Sequence, residues 1–134
     1  MSQENVETVR ELVEAFNRGD FDAALERVHP DVEWRSLDSF PDAGTYRGAD
    51  GVREFFETWM DTFQVFRLHL QQCAAVDEHL VVATFRASGE GAGSGVEVES
   101  PGFVQLLEFR DGLMVRAQMF QTKHEALEAA GLRE

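Results

Sequence analysis

A chain of 134 residues with 43% hydrophobic side chains, Phe alone filling 11 positions, is long enough to bury one core and too apolar to stay disordered. Twelve Lys and Arg against 25 Asp and Glu leave a formal charge of −13, so the summed field repels phosphate backbones and anionic lipid, and nucleic-acid and membrane partners are disfavoured. Apolar runs such as Leu80–Ala83 fall far short of the roughly 20 residues of a membrane span. The lone Cys73 leaves no intrachain disulfide and Met1–Asn5 carries no secretory signal, so the chain reads as one cytoplasmic domain over 1–134.

Val6, Val9, Leu12, Val13 and Phe16 recur at helical spacing and predict an amphipathic helix over about 3–18, ended by Gly19. Asp20 is a candidate N-cap for a second helix carrying Phe21, Ala24, Leu25 and Val28, which His29-Pro30-Asp31 stops. Val32–Arg35 reads as a short strand, and 37–48, rich in Asp, Ser, Pro and Gly, as a loop. Val52, Phe55, Phe56, Trp59, Met60 and Phe63 give the strongest helical periodicity in the chain.

After Phe63 the period shortens to two: Phe66, Leu68 and Leu70 alternate with Arg67, His69 and Gln71. A second strand is expected over Leu80–Ala87, and the glycines between 89 and 95 point to a bulged or flexible crossing. A third strand runs from Val96 to Phe109 with a candidate bulge at Pro101-Gly102. Asp111-Gly112 then signals a hairpin into Leu113–Gln121, and Glu125–Ala130 closes the chain as a helix capped by Gly131. This order predicts an α+β fold with helices on one face of a curved, mostly antiparallel sheet.

Five segments in this order resemble the nuclear transport factor 2-like superfamily, in its SnoaL-like and ketosteroid isomerase-like branch. They are Ala15-Phe16-Asn17-Arg18-Gly19-Asp20-Phe21, His29-Pro30-Asp31-Val32-Glu33-Trp34, Tyr46-Arg47-Gly48, Phe109-Arg110-Asp111-Gly112 and the run from Glu125 to Leu132. The resemblance covers nearly the whole chain. It implies a cone-shaped α+β barrel of cystatin-like topology, a deep apolar pocket at its mouth and a homodimer through the outer sheet face. Because the fold hosts enzymes and binding modules alike, the pocket residues must decide the function. Aligned to the steroid isomerases, the oxyanion-donating Tyr falls at Leu12, the general-base Asp at Ser36 and the protonated Asp at Gln105. Leu has no proton to donate, a Ser hydroxyl is too weak a base, and an amide donates but does not titrate, which argues against steroid isomerisation by that mechanism.

Asp38, two residues beyond Ser36, is the candidate replacement base at the pocket mouth; a solvated turn beside Pro41-Asp42 is the competing reading. Gln105, in the apolar strand Phe103–Leu107, is a candidate to stabilise developing oxygen charge, and Gln118 is expected on the same inner face, where the two amides either orient a carbonyl-bearing ligand or satisfy each other. Arg86 would neutralise an anionic substrate if it pointed inward, the alternative being an outward surface pair. Trp34, Phe55, Trp59 and Phe120 are the expected apolar wall, and Tyr46 a cap over the mouth. His69 falls on the polar face of its strand. No His, Cys and carboxylate spacing suggests a metal, no phosphate loop or nucleophile elbow occurs, and no cofactor is expected. The expectation is a pocket for a small, largely apolar molecule, used by an isomerase, cyclase or epoxide-hydrolase-like enzyme acting by proton transfer. The alternative is a non-catalytic ligand-binding or protein-interaction dimer.

Overall fold

The computed structural model describes residues 2–36, 44–91, 97–99 and 102–131, the side chains of 2, 59, 62–66, 90–91 and 97–99 lying outside that description. Helix α1, Ser2–Asn17, buries Val6, Val9, Leu12, Val13 and Phe16, the stripe its periodicity marks. It stops where Gly19 takes φ 75: the Gly19 N–H donates to the Phe16 carbonyl at 2.9 Å and the Asp20 N–H to that of Ala15 at 2.9 Å, the paired bonds of a Schellman end. Asp20 then caps α2, Phe21–Leu25, by accepting from the Ala23 N–H at 3.2 Å.

Helix α2 is shorter than its apolar pattern suggests. Val28 belongs not to the helix but to β1, Val28–Arg35, where it pairs with Met114; the register shifts between Val28 and Glu33, the stretch that holds Pro30. A proline that cannot donate to a ladder is tolerated at such an irregularity, so the strand runs through it.

The remaining elements are β2 Thr45–Arg47, α3 Gly48–Thr62, β3 Phe63–Ala75, β4 Leu80–Gly91, β5 Glu97–Glu99, β6 Phe103–Arg110, β7 Leu113–Phe120 and α4 Lys123–Ala129. They form one curved sheet in the order β2-β1-β7-β6-β4-β3, with β5 paired to β4; β1 and β7 are parallel and every other pair is antiparallel. The strand expected over Val96–Phe109 is thus two. Phe85 to Ser88 of β4 faces Phe103 back to Glu99, so three steps oppose four, the one-residue excess of a bulge, and Gly102 sits there at φ 104. Asp111 at φ 52 and Gly112 at φ 79 are both left-handed, as a type I′ hairpin requires.

The sheet has two covered faces. The concave one meets α1 and α3 through Trp34, Val81, Ala83, Phe85, Leu107, Phe109, Ala117 and Met119, all buried. On the other face Val82, Val104 and Leu106 lie under Ala126 and Leu127 of α4, whose first turn is capped by Thr122 accepting from the Glu125 N–H at 3.2 Å. No helix among the described residues is long and apolar enough to cross a membrane.

Candidate functional site

Register places the site. Across the concave face Gln105 of β6 is flanked by Met119 of β7 and Ala83 of β4, and Ala83 by Cys73 of β3. On β1 Trp34 pairs with Ala117 and Arg35 with Gln118, so Ser36, one step on, continues this row beside Met119. With strands ~4.8 Å apart, Ser36 and Gln105 stand roughly 10 Å from each other on one face.

Between this face and the helices lies a cavity walled by Leu12, Val13 and Phe16 of α1, Phe55 and Phe56 of α3, and Trp34, Leu68, Phe85, Phe103, Gln105 and Met119 of the sheet. About 40 Å³ is open to the centres of water-sized molecules, room for about three waters. Trp34 stands edge-on to Phe56, centroids 5.4 Å apart, and tilted to Phe55 at 5.7 Å; Phe85 and Phe103 stack at 5.3 Å. These contacts fix the wall in the offset geometries aromatic pairs prefer.

Among the described residues Gln105 brings the one polar side chain that opens on this cavity. It is 7% exposed, and among the described residues its amide makes no hydrogen bond. An unsatisfied buried amide carries a desolvation cost of about 1–3 kcal/mol, so it is out of place in a core that only packs. The Trp34 Nε1 and Ser36 Oγ atoms are also buried without a partner, but neither shows surface to the cavity. Leu12 and Gln105 meet in this one cavity and Ser36 is buried at the end of the same row, so the three positions aligned to the steroid-isomerase machinery converge while holding no titratable group.

Several expected site residues are elsewhere. Gln118 pairs with Leu106 and Arg35, on the face opposite Gln105, so the two amides do not meet. Phe120 pairs with Val104 and packs into the cluster under α4; it is not part of the cavity wall. Arg86 is exposed and opposite His69 on the outer face, while its neighbour Phe85 takes the inner side. Tyr46 is half-buried against Phe55, centroids 5.0 Å apart, behind the wall. Trp34 and Phe55 do line the cavity. Asp38 and the Trp59 side chain lie outside the described residues. Phe16, Phe56, Leu68, Phe85, Phe103 and Met119 complete the wall without having been singled out from sequence; each was visible only as an apolar position on a helix or strand face.

The histidines are remote. His69 Nε2 and Ser88 Oγ share a hydrogen bond at 2.9 Å on the exposed face, His29 Nδ1 accepts from the Asp31 N–H at 2.9 Å, and His124 pairs with Glu128 at 2.8 Å. No group of three or more His, Cys, Asp or Glu among the described residues is arranged to hold a metal. The half-buried Cys73 thiol is pushed up from its ordinary 9.0, mainly by burial, with Arg10 lowering it and Glu7 raising it.

Comparison with known proteins agrees with this architecture. Similar structures include Bal32a from a soil-derived mobile gene cassette, at 22% identity over 96% of each chain with a TM-score of 0.81. An NTF2-like protein of unknown function from Burkholderia pseudomallei has 26% identity over 96% of this chain and 97% of its own, with a TM-score of 0.78. TerC co-crystallised with polyporic acid has 24% identity over 93% and 98%, with a TM-score of 0.77. No curated protein matches the sequence significantly. The profile of the SnoaL-like domain matches residues 9–117, and the chain belongs to that family, within the nuclear transport factor 2-like superfamily.

Proposed function

We propose that this chain binds a small, largely apolar, uncharged molecule in the cone, oriented by a hydrogen bond between a ligand oxygen and the Gln105 amide. The observation that carries this reading is the Gln105 amide, which among the described residues has no bonding partner and is set in an otherwise apolar wall. Pockets for small molecules combine apolar walls with a few placed polar groups, and Gln105 has that position. The size of the cavity suits a guest on the scale of one aromatic ring, anything larger requiring the lining side chains to move outward. TerC, of similar fold, was co-crystallised with polyporic acid, which agrees with a small-molecule guest. The test is binding of aromatic ketones by calorimetry: Gln105→Leu should weaken a ketone and leave the matching hydrocarbon unchanged, and equal losses for both would remove Gln105 from the role.

A second reading is proton-transfer catalysis of isomerase, cyclase or epoxide-hydrolase type, with Asp38 as base and Gln105 stabilising charge on oxygen. It is favoured by Ser36, which is 2% exposed at the end of the cavity's row and stands two residues before Asp38 in the chain. Asp38→Asn separates the readings: turnover lost with binding retained supports the enzyme. A homodimer through the outer face belongs to the same proposal and is checked by sedimentation equilibrium.

A further inference from the structure

Among the described residues no cationic side chain lines the cavity. Every Lys and Arg except Arg133 lies in the described residues, and each is at the surface; Arg53, paired with Asp22, is among the most covered and still has 36% of its side chain exposed. The stretches 37–43, 62–66 and 92–96 contain no Lys, Arg or His at all. Of the histidines, three are exposed and His29 is half-buried at the start of β1, none of them lining the cavity. Inside, among the described residues, the Gln105 amide is the only hydrogen-bonding side chain with surface on the cavity, since Trp34 Nε1 and Ser36 Oγ show none and Leu12 offers nothing. The chain around it carries −13.

We infer that this cavity selects by protonation state: a titratable guest such as a phenol or an enol enters as the neutral acid, and its anion is excluded. The inference rests on the binding reading above and sharpens it. A buried anion needs a counter-charge or two to three converging donors to replace its water. One amide can donate a single well-directed bond to a guest oxygen, which is enough for a hydroxyl or carbonyl and not for a full charge. The negative field of the surrounding protein acts in the same direction on any anion approaching the mouth. The guest's own pKa, with no acid or base in the described wall, therefore sets the pH at which binding is lost.

The experiment compares 4-nitrophenol with its methyl ether, 4-nitroanisole, on the intact protein across the pKa of the phenol. Binding is read from quenching of tryptophan fluorescence, Trp34 being in the wall, and the ionisation state of the bound phenol from its absorption, which differs between acid and anion. The ether cannot ionise and reports any change in the protein itself. The expected result is a ratio of phenol to ether dissociation constants that is flat at low pH and rises about tenfold per pH unit above the phenol's pKa. The bound phenol should absorb as the acid throughout, and its preference over the anion should be at least about a hundredfold. A ratio that stays flat through that pKa, or bound phenol absorbing as the anion, overturns the inference while leaving the binding reading intact. If neither compound binds at any pH, the binding reading itself fails and the selectivity falls with it.

Discussion

The side chain of Asn17 closes both free backbone groups of Leu68: its Oδ1 accepts from the Leu68 N–H at 2.8 Å and its Nδ2 donates to the Leu68 carbonyl at 2.9 Å. Strand β3 is an edge of the sheet, so beyond Ala87 on its one neighbour these groups would otherwise face no strand. The amide takes the place of a missing strand for one residue, tying the end of α1 to the wall of the cavity, since Leu68 lines it. Asn17→Ala should cost about 2 kcal/mol for two lost bonds and the groups left behind. Urea denaturation measures it, and a loss under about 0.5 kcal/mol, the level of an ordinary surface change, would mean that water replaces the amide freely.

Gln105 should show the opposite sign. Its amide faces an apolar cavity with no bonding partner among the described residues, so Gln105→Leu removes a mostly buried polar group and is expected to raise stability by about 1 kcal/mol. The same substitution should weaken a carbonyl-bearing guest by about tenfold, one hydrogen bond's worth. Stability gained while binding is lost is the pattern of a residue kept for function. Stability lost on this substitution, in the same urea titration, would assign Gln105 to packing.

Two glycines of the resemblance segments separate backbone strain from steric contact. Gly19 has φ 75 with open space where a Cβ would stand, whereas at Gly48, φ 73, a Cβ would meet the Pro30 carbonyl oxygen at 3.3 Å. Gly19→Ala should therefore cost only the left-handed conformation, about 1–2 kcal/mol. Gly48→Ala should cost measurably more, because β1 must also give way at the start of α3. Thermal unfolding of the two variants side by side checks the order, and equal costs would show that Pro30 yields without resistance.

The elements of this fold were legible where one physical signal dominated. Val52 through Met60 could only be a helix, although the same stripe carried on to Phe63, which opens β3, and Asp111-Gly112 could only be a tight turn, because left-handed residues between apolar runs have few other uses. Val28 is ambiguous in the sequence because its apolar side chain suits both the face of α2 and the strand that begins there, and its pairing with Met114 is a contact distant in sequence. Of the residues singled out from the sequence, Gln105, Trp34 and Phe55 line the cavity, whereas Gln118 and Phe120 do not. Between Glu108 and Phe109 the ladder to β7 shifts register, so Met114, Ala117 and Met119 all turn inward although their numbers differ in parity. A one-residue slip exchanges the faces of everything beyond it. Nor could composition reveal the error, since α4 makes the outer face apolar too, and Phe120 has a core of its own there.

Among the described residues Cys73 gives the one pH dependence that has a direction. Burial holds its thiol above the ordinary 9.0, with Arg10 pulling the other way and Glu7 adding to the rise. In the unfolded chain the thiol ionises near its ordinary value, while in the folded protein it keeps its proton to higher pH. Below that ordinary value both states are protonated and Cys73 contributes no slope. Above it the folded state binds more protons than the unfolded one, so stability falls with rising pH until the folded thiol also ionises. Cys73→Ala should therefore flatten the alkaline limb of a stability profile taken from neutral pH upward. The same burial should make the wild-type thiol react more slowly with a charged disulfide reagent at neutral pH than a free cysteine does, because the thiolate is the attacking species. An alkaline limb that is unchanged in Cys73→Ala, together with wild-type reactivity matching free cysteine, would show that the thiol is hydrated in solution and that the β3 edge beside Ala83 opens to admit water.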